Sequence, residues 1–385
     1  MRRAVQAEIV GRFLDLERRG TTQLAPAMLP LSPGEYVSPE RFEREQRLLF
    51  REAPVVACLS ADIPQPGDFI ALDSAGIPLV VVRSDDGAVR AYVNACRHRA
   101  NPVADGAGNT GRVFTCSFHN WSYAVDDGRL LGQPRSCAGF ADADPAALGL
   151  PTVPVDEAHG VVMVRPQGDG PVGVDDALCG LGADLEDFHL GSYHLFERRR
   201  SVWRCNWKLL LDTFFESYHV PALHGPTLGA RYPGHIMMFD GYGPNMRIPV
   251  ARASLYEQAD RPQTEWELLP HSTLQYFLGP NVMLNHVVDH FVLWRFVPSA
   301  VDETVADLSL YTPHAVESVD ERSHYEQAFA TQFGVTTTED YPVSERIHHG
   351  LASGRVESTL LGRNEAAVVY FHETVAARLA EPARG

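Results

Sequence analysis

The sequence lacks a predominantly apolar run of the ~20 residues that a membrane-spanning helix needs. Near the N-terminus, Arg12, Asp15 and Glu17 interrupt the apolar residues before they form the hydrophobic region of a secretory signal. Both absences argue against a membrane protein and against an exported one. We therefore expect the protein to act in the cytoplasm without a membrane partner.

Basic residues are in the minority. The chain has 33 lysine and arginine residues against 49 aspartate and glutamate residues, a formal net charge of −16 at pH 7. Proteins that bind nucleic acid use clustered basic side chains to displace counterions from the phosphate backbone. A chain this acidic would repel that backbone, so we expect no nucleic-acid partner.

Cysteine is scarce and dispersed. The six cysteines, at positions 58, 96, 116, 137, 179 and 205, are spread over a chain of 385 residues. Secreted disulfide frameworks instead concentrate their cysteines in short domains. We expect these residues to be thiols or metal ligands in a reducing compartment, and only Cys96 and Cys116 have neighbours that indicate chemistry.

The length of the chain predicts two domains or one large domain. From residue 67, short alternating runs such as IPLVVVRS, ended by turn signals such as DDG, predict a small antiparallel β domain over 46–165. The Gly/Pro-rich stretch RPQGDGPVGVDD at 165–176 is the best candidate boundary.

Helix and strand patterns are mixed in the remainder. Ser38 as N-cap and Pro39 at the first helical position predict a helix over 38–52, and further helices are predicted over 318–332 and 338–353. We therefore predict an α+β fold. A helical segment, 1–45, packs on a larger domain, 166–385, whose antiparallel sheet is covered by helices.

Two short stretches each combine one cysteine with one histidine. The spacing is Cys96-x-His98, seventeen residues, then Cys116-x-x-His119. A Cys2His2 zinc finger would instead group its cysteines in one loop and its histidines in a later helix. Two loops that each give a thiolate and an imidazole suit a [2Fe–2S] cluster, with the cysteines on one iron and the histidines on the other.

These loops resemble the Rieske centre of Rieske oxygenases, and Arg99, Phe118, Trp121 and Tyr123 extend the resemblance. The family usually has glycine at the positions of Ala100 and Asn120 in this chain. The alternative interpretation is four buried core residues or an adventitious zinc site.

A second group of candidate ligands lies in NWKLLLDTFFESYHVPALHG, residues 206–225. Glu216 and His219 are three apart and would share one face of a helix. On a continuous helix His224 would point elsewhere, so we predict that Pro221 ends or bends the helix and lets His224 turn back towards His219. Two imidazoles and one carboxylate form the facial triad of a non-haem Fe(II) site.

This segment resembles the iron-binding segment of Rieske oxygenase α subunits. The resemblance implies that Asp340 is the third iron ligand, with Glu339 as its rival. It also implies that Glu216 carries electrons between a cluster histidine of the neighbouring subunit and an iron histidine. Asp212, one turn before Glu216, is implied to support ligand orientation, whereas the role of His348 is open.

The resemblance implies an oxygenase that uses O2 and electrons from a separate NAD(P)H reductase or ferredoxin, since the chain has no flavin or nicotinamide fingerprint. It also implies a homotrimer (α3), with any β subunit left open. We expect hydroxylation of an aromatic or other apolar molecule. The Met-, Phe-, Tyr- and Gly-rich stretch 225–248 suits an apolar pocket or, equally, plain core packing.

Two alternatives stay open. One is a monooxygenase that demethylates or cleaves a quaternary ammonium compound, for which Tyr232, Phe239 and Tyr242 are candidate cage rings. The other is an electron-transfer Rieske protein without oxygenase activity. A zinc-binding structural protein fits the ligand order less well.

Overall fold

A computed structural model describes residues 1–134 and 139–380, so Cys137 lies outside the described residues. The chain divides into two compact units. The smaller unit comprises Arg47–Ala177 and His189–Ser192; the larger one comprises Met1–Gln46, Leu178–Phe188 and Tyr193–Gly385. The predicted division of the sequence at residues 45 and 165 stays a prediction.

The smaller unit contains three antiparallel sheets. Its strands are Val55–Leu59, Asp68–Ser74, Ile77–Arg83, Val89–Val93, Ala107–Asn109, Val113–Thr115, Ser122–Ala124, Leu130–Gly132, Val155–Ala158 and Val161–Val164. Successive side chains of a strand point to opposite faces, so Val81 and Val80 enter two different apolar clusters. The second cluster also contains Cys96 and Cys116, so the core of this unit fixes both cysteine loops.

The larger unit is built on a seven-stranded antiparallel sheet, which confirms the α+β prediction. The strands, in spatial order, are His194–Trp203, Glu303–Thr312, His290–Ala300, Val282–Val287, Ser272–Leu278, Asn245–Ala251 and Asp240–Tyr242. Leu29–Leu31 and Thr359–Leu361 form a separate pair. The helices of this unit are Arg3–Arg18, Gly34–Val37, Pro39–Glu45, Gly182–Glu186, Trp207–Asp212, Val220–Leu223, Val319–Val335, Tyr341–Ala352 and Ala366–Ala380.

The central strand His290–Ala300 is buried on both faces. Trp294 stacks on Phe333 and meets the edge of Tyr341, so the helices after residue 318 cover one face of the sheet. Phe291, three residues earlier, points to the opposite face and packs against Phe188. The near-continuous apolar sequence of this strand therefore reflects burial on both sides.

The helices predicted over 318–332 and 338–353 are observed as Val319–Val335 and Tyr341–Ala352. A π-helical turn, Thr336–Asp340, joins them without a break. The sequence predicted a separate helix over 338–353, but Asp340 does not lie near the start of a separate helix. It ends a local widening of a long helical segment, a feature that is frequent at functional sites.

The helix predicted over 38–52 begins as expected, because the Ser38 side chain accepts a hydrogen bond from the backbone N–H of Arg41. The α-helix Pro39–Glu45 then gives way to a π-helical turn, Gln46–Arg51. The predicted helix is thus correct in its start, and its second half is wound more widely.

Lys208, the only lysine in the sequence, is fully buried. Its Nζ donates to both carboxylate oxygens of Glu45 at 2.7 Å. Glu45 also accepts hydrogen bonds from Trp207 Nε1 and Arg41 Nε. This buried ion pair joins the helix Pro39–Glu45 to the helix Trp207–Asp212, which leads into the second candidate site.

Among the described residues, no helix has both the length and the apolar character needed to span a membrane.

Candidate metal centres

The two cysteine loops share one backbone shape. The N–H of Ala100 donates to the carbonyl of Cys96 at 2.8 Å, and the N–H of Asn120 donates to the carbonyl of Cys116 at 2.9 Å. Ala100 and Asn120 both adopt left-handed backbone, with φ of 58° and 56°. Glycine tolerates this conformation without a steric penalty, so the shape of each turn explains why glycine suits these positions.

Polar groups surround both sulfur atoms. Tyr123 Oη lies 3.1 Å from Cys96 Sγ, and Asn101 Nδ2 lies 3.5 Å from Cys116 Sγ. Burial raises the pKa of the Cys116 thiol, but hydrogen bonds from the backbone of Phe118 and the side chain of Asn101 outweigh it, so the net shift is downward. The surroundings of Cys116 therefore favour the thiolate, the form that binds metal.

The two histidines of these loops face each other. His98 Nδ1 and His119 Nδ1 are 3.1 Å apart, and the His98 ring stacks on Trp121 with centroids 5.0 Å apart. Two buried cysteines and two facing imidazole nitrogens form the donor set of a Rieske cluster. The residues of this chain therefore fit such a cluster.

The second site lies where helical structure is interrupted. The helix Trp207–Asp212 ends before Glu216, and a short helix, Val220–Leu223, begins after His219. The prediction that Glu216 and His219 share a helix was wrong, as was the role given to Pro221. Pro221 lies in the first turn of the short helix, where its fixed φ is favourable and its missing N–H has no partner to lose.

Three side chains nevertheless converge as the sequence predicted. His219 Nε2 and His224 Nε2 are 3.2 Å apart, and Asp340 Oδ1 lies 3.0 Å from His224 Nε2 and 3.5 Å from His219 Nε2. Asp340 Oδ1 is buried and has no donor at hydrogen-bond geometry among the described residues. A cation between the three atoms would satisfy this oxygen, so the residues fit a metal ion of the facial-triad type.

A carboxylate holds the outer nitrogen of each histidine. Glu216 Oε1 is hydrogen-bonded to His219 Nδ1, and Glu339 Oε2 lies 2.6 Å from His224 Nδ1. Such contacts fix the tautomer and ring orientation of a ligand. The geometry places Glu339 on the far side of His224 from Asp340, a position that the sequence spacing did not reveal.

Asp212 contacts neither histidine among the described residues. Its carboxylate accepts a hydrogen bond from Tyr36 Oη at 2.7 Å and lies 3.1 Å from His372 Nε2. It thereby ties the segment before the second site to the helices Gly34–Val37 and Ala366–Ala380. Its role in ligand orientation stays a prediction. His348, whose role was open, accepts from the backbone N–H of Asn206 at 3.3 Å.

A cavity of about 150 Å³ opens beside His219, His224 and Asp340. Its apolar wall consists of Phe214, Val220, Leu228, Met237, Val250, Val287 and Val335. Of the three candidate cage rings, Tyr232 lines this cavity, whereas Phe239 packs on Tyr370 and Tyr242 lies beside Arg247. The sequence did not single out Arg231, Gln275 and Asn285, which also line it, because isolated polar residues in loops and strands carry no spacing signal.

Family models match both halves of this architecture. A Rieske [2Fe-2S] domain model matches residues 53–153, and a model of the ring-hydroxylating α subunit (catalytic domain) matches residues 190–381. The chain belongs to the Rieske non-haem iron oxygenases and carries the catalytic domain of their α subunits. Enzymes of this family hold a [2Fe–2S] cluster and a mononuclear iron, for which the two centres described above supply matching donors.

Individual relatives act on different kinds of compound. A carnitine monooxygenase oxygenase subunit from Escherichia coli (strain K12) is 25% identical over 355 residues, 89% of this chain and 91% of that protein. The α subunit of a 2-aminobenzenesulfonate 2,3-dioxygenase from an Alcaligenes species is 32% identical over 187 residues, 48% of this chain and 47% of that protein. The chain thus spans about half the length of several curated relatives it matches.

Among solved structures, a quaternary ammonium Rieske monooxygenase matches with a TM-score of 0.78 at 20% identity. The match covers 93% of this chain and 96% of that one, and it shows a common fold.

Proposed function

We propose that this oxygenase hydroxylates a small organic molecule in the cavity beside His219, His224 and Asp340. The observation that carries the proposal is the open cavity directly against three convergent atoms of His219, His224 and Asp340. One of them is a buried carboxylate oxygen that has no donor at hydrogen-bond geometry among the described residues. In this proposal Cys96, His98, Cys116 and His119 hold the cluster. His219, His224 and Asp340 hold the iron, whereas Glu339 orients His224.

When bound, the mononuclear iron supplies activation of O2, and the cluster supplies electrons one at a time. The side chains of this chain perform the supporting work. Glu216 accepts a hydrogen bond from the Nδ1–H of His219, and this contact directs Nε2 of that ring to the metal position. Glu339 does the same for His224, and Thr227 Oγ1 donates to Glu339 at 3.1 Å to fix that carboxylate.

We further propose that electrons enter from a separate NAD(P)H reductase or ferredoxin in the cytoplasm and cross between subunits of an α3 trimer through Glu216. Each centre has an exposed ring beside it: Phe118 next to His119 is 55% exposed, and Tyr218 next to His219 is 74% exposed. Exposed rings of this size are enriched at protein interfaces. Inter-subunit electron transfer is also described for the quaternary ammonium monooxygenase that shares this fold.

For the substrate, the cavity favours a molecule of about one ring. Its volume is about 150 Å³, comparable to engineered apolar cavities that bind benzene. A quaternary ammonium group would require several rings and a free carboxylate. Apart from histidines, the described cavity wall has only the rings of Phe214 and Tyr232, and its carboxylates already contact histidines. Aromatic substrates are therefore favoured over a quaternary ammonium compound.

The first test is iron and acid-labile sulfide per chain on anaerobically purified protein. About three irons to two sulfides are expected if both centres bind iron. Two irons to two sulfides, unchanged after Fe(II) is added back, would overturn the oxygenase proposal and favour an electron-transfer Rieske protein.

A second test measures substrate-dependent O2 uptake with a separate reductase and NADH, using one panel of aromatic compounds and one of quaternary ammonium compounds. Uptake coupled to product is expected with the aromatic panel. Efficient turnover of NADH by the chain alone would contradict the requirement for a separate reductase.

A further inference from the structure

Two carboxamide side chains lie side by side on the sheet that forms one wall of the cavity. Gln275 in the strand Ser272–Leu278 is the register partner of Asn285 in the strand Val282–Val287. Both side chains line the cavity. Thr273 and Val287, each two residues away on the same strands, line it as well. Because side chains two apart share a face, the register places this amide pair on the face that the helix Val319–Val335 covers.

The carbonyl oxygens of both amides are unsatisfied. Gln275 Oε1 and Asn285 Oδ1 are buried and accept no hydrogen bond within residues 1–134 and 139–380. Asn285 is only 2% exposed. By contrast, the neighbouring hydroxyls on this wall are paired, since Tyr232 Oη and Thr273 Oγ1 are 2.8 Å apart. A buried acceptor without a donor is unfavourable, so this wall favours a ligand that donates to it.

One exposed arginine lines the same cavity and has no counterion among the described residues. Arg231 lines the cavity and has no ion pair or side-chain hydrogen bond among the described residues. The cavity carboxylates do not neutralise it, because Glu216 contacts His219 and Asp340 contacts both iron-site histidines. A guanidinium is always charged, and its planar fork pairs well with an anionic oxygen group such as a carboxylate.

We propose that the substrate is a small organic acid that also carries a hydrogen-bond donor. Its anionic group pairs with Arg231, and its hydroxyl or amino group donates to Gln275 Oε1 and Asn285 Oδ1. This inference rests on the proposed function, because it assigns the substrate class of the same cavity. It also makes these three residues determinants of specificity that bind substrate away from the metal ligands.

The test is equilibrium binding of five probes to the iron-loaded enzyme by calorimetry. The three hydroxybenzoate isomers carry both groups, benzoate carries only the acid, and phenol carries only the donor. We expect at least one hydroxybenzoate to bind about tenfold or more tightly than either single-group probe. Equal affinity of phenol and all three hydroxybenzoates would overturn the pairing with Arg231.

Variants assign each group to its partner. Arg231→Gln should abolish the preference for acids, whereas Arg261→Gln, at an exposed arginine outside the cavity wall, should leave it intact. Gln275→Leu and Asn285→Leu should each abolish the advantage of the hydroxybenzoate over benzoate. They should also raise the melting temperature of the ligand-free protein, since each removes an unsatisfied buried oxygen. Lower stability with unchanged probe selectivity would show that the amides are merely structural.

Failure of this inference differs from failure of the proposed function. If iron binds and O2 is consumed equally well with neutral compounds, only the acid and donor requirement is overturned. If the chain does not retain the mononuclear iron at all, the oxygenase proposal itself is overturned.

Discussion

At the scale of single residues, the backbone angle φ limits which residues suit one position in each cluster loop. Ala100 and Asn120 occupy equivalent left-handed positions. Asparagine visits this region more readily than other residues with a side chain, whereas alanine is strained there by about 1–2 kcal/mol. The sequence shows which residues occupy the two positions. Only the structure shows that the left-handed backbone is more strained at Ala100 than at Asn120.

Ala100→Gly is therefore expected to stabilise the cluster unit by about 0.5–1 kcal/mol, after allowance for the greater freedom of glycine in the unfolded chain. The measurement is the thermal loss of the visible absorption of the cluster. Ala107→Gly serves as the control, because Ala107 lies in a strand at ordinary backbone angles. The control should destabilise, and a decrease in stability for Ala100→Gly as well would contradict the strain argument.

Mutation should distinguish the roles of the adjacent acids Glu339 and Asp340. Asp340→Asn removes the charge of the proposed ligand, so we expect loss of the mononuclear iron with the cluster retained. Glu339→Gln keeps every proposed ligand and weakens the contacts to His224 Nδ1 and Thr227 Oγ1, so we expect iron affinity to fall about 10–100-fold. Iron and sulfide analysis at graded chelator concentrations distinguishes them, and the reverse order of effects would make Glu339 the ligand.

His286 should make the larger unit acid-sensitive. Burial, assisted by the nearby His290 and terminal amino group and opposed by Asp289, lowers its pKa to about 4. An unfolded histidine titrates near 6.5, so between pH 6.5 and 4 the unfolded chain binds the proton and the folded one does not. The free energy of unfolding therefore decreases as the pH is lowered from 6.5 to 4, and this residue contributes about 3 kcal/mol to the decrease.

Urea unfolding at a series of pH values, with matched iron content, measures this loss. His286→Leu should flatten the profile between pH 6.5 and 4, whereas His349→Gln, at an exposed histidine, should leave its slope unchanged. An unaltered slope in His286→Leu would refute the assignment.

At the scale of elements, the sequence pattern predicted the helices and strands with strong periodicity or clear caps. Ser318 and Glu321, for example, form a capping box at the start of Val319–Val335, one of the helices that the sequence predicted. The prediction that Glu216 and His219 share a helix was wrong, because both residues lie between the helices Trp207–Asp212 and Val220–Leu223. Residues three apart lie on one face of a helix, but two side chains of an irregular segment can also point the same way. The spacing alone does not distinguish a helix from an irregular segment, and tertiary contacts favour the irregular segment here.

The pair formed by Lys208 and Glu45 should couple two helices strongly. Lys208→Met leaves a buried carboxylate without its main counterion, and we expect the free energy of unfolding to fall by about 3–5 kcal/mol. Adding Glu45→Gln should recover at least half of this loss, because the neutral pair no longer buries an unbalanced charge. Denaturant titration of both single variants and the double variant measures the coupling; strictly additive losses would contradict it.

At the scale of the whole molecule, the motifs indicated the family and both metal centres, but the composition of the substrate cavity was beyond sequence reasoning. Asp340 lies far from His219 and His224 in the chain, and only the family resemblance joined the three residues. No motif joins Arg231, Gln275 and Asn285. Their proximity results from strand register and from a loop folded across the sheet, neither of which residue spacing specifies.

Electron transfer between subunits can be tested by complementation. A Cys96→Ser chain should lack the cluster, and an Asp340→Asn chain should lack the mononuclear iron, so each alone should be inactive. Co-expression should restore part of the activity, because the intact cluster of one chain can serve the intact iron of its neighbour. Product formation with the separate reductase is the measurement, and inactivity of a verified mixed trimer would exclude transfer between subunits.

The single buried lysine has a practical consequence for studies of this enzyme. Every other basic side chain apart from histidine is an arginine, so the folded surface offers amine-reactive reagents no lysine to modify. Acylation of Lys208 therefore requires the helix Trp207–Asp212 to open. The rate of Lys208 acylation, measured by mass spectrometry, therefore reports how often the segment next to the proposed iron site becomes exposed.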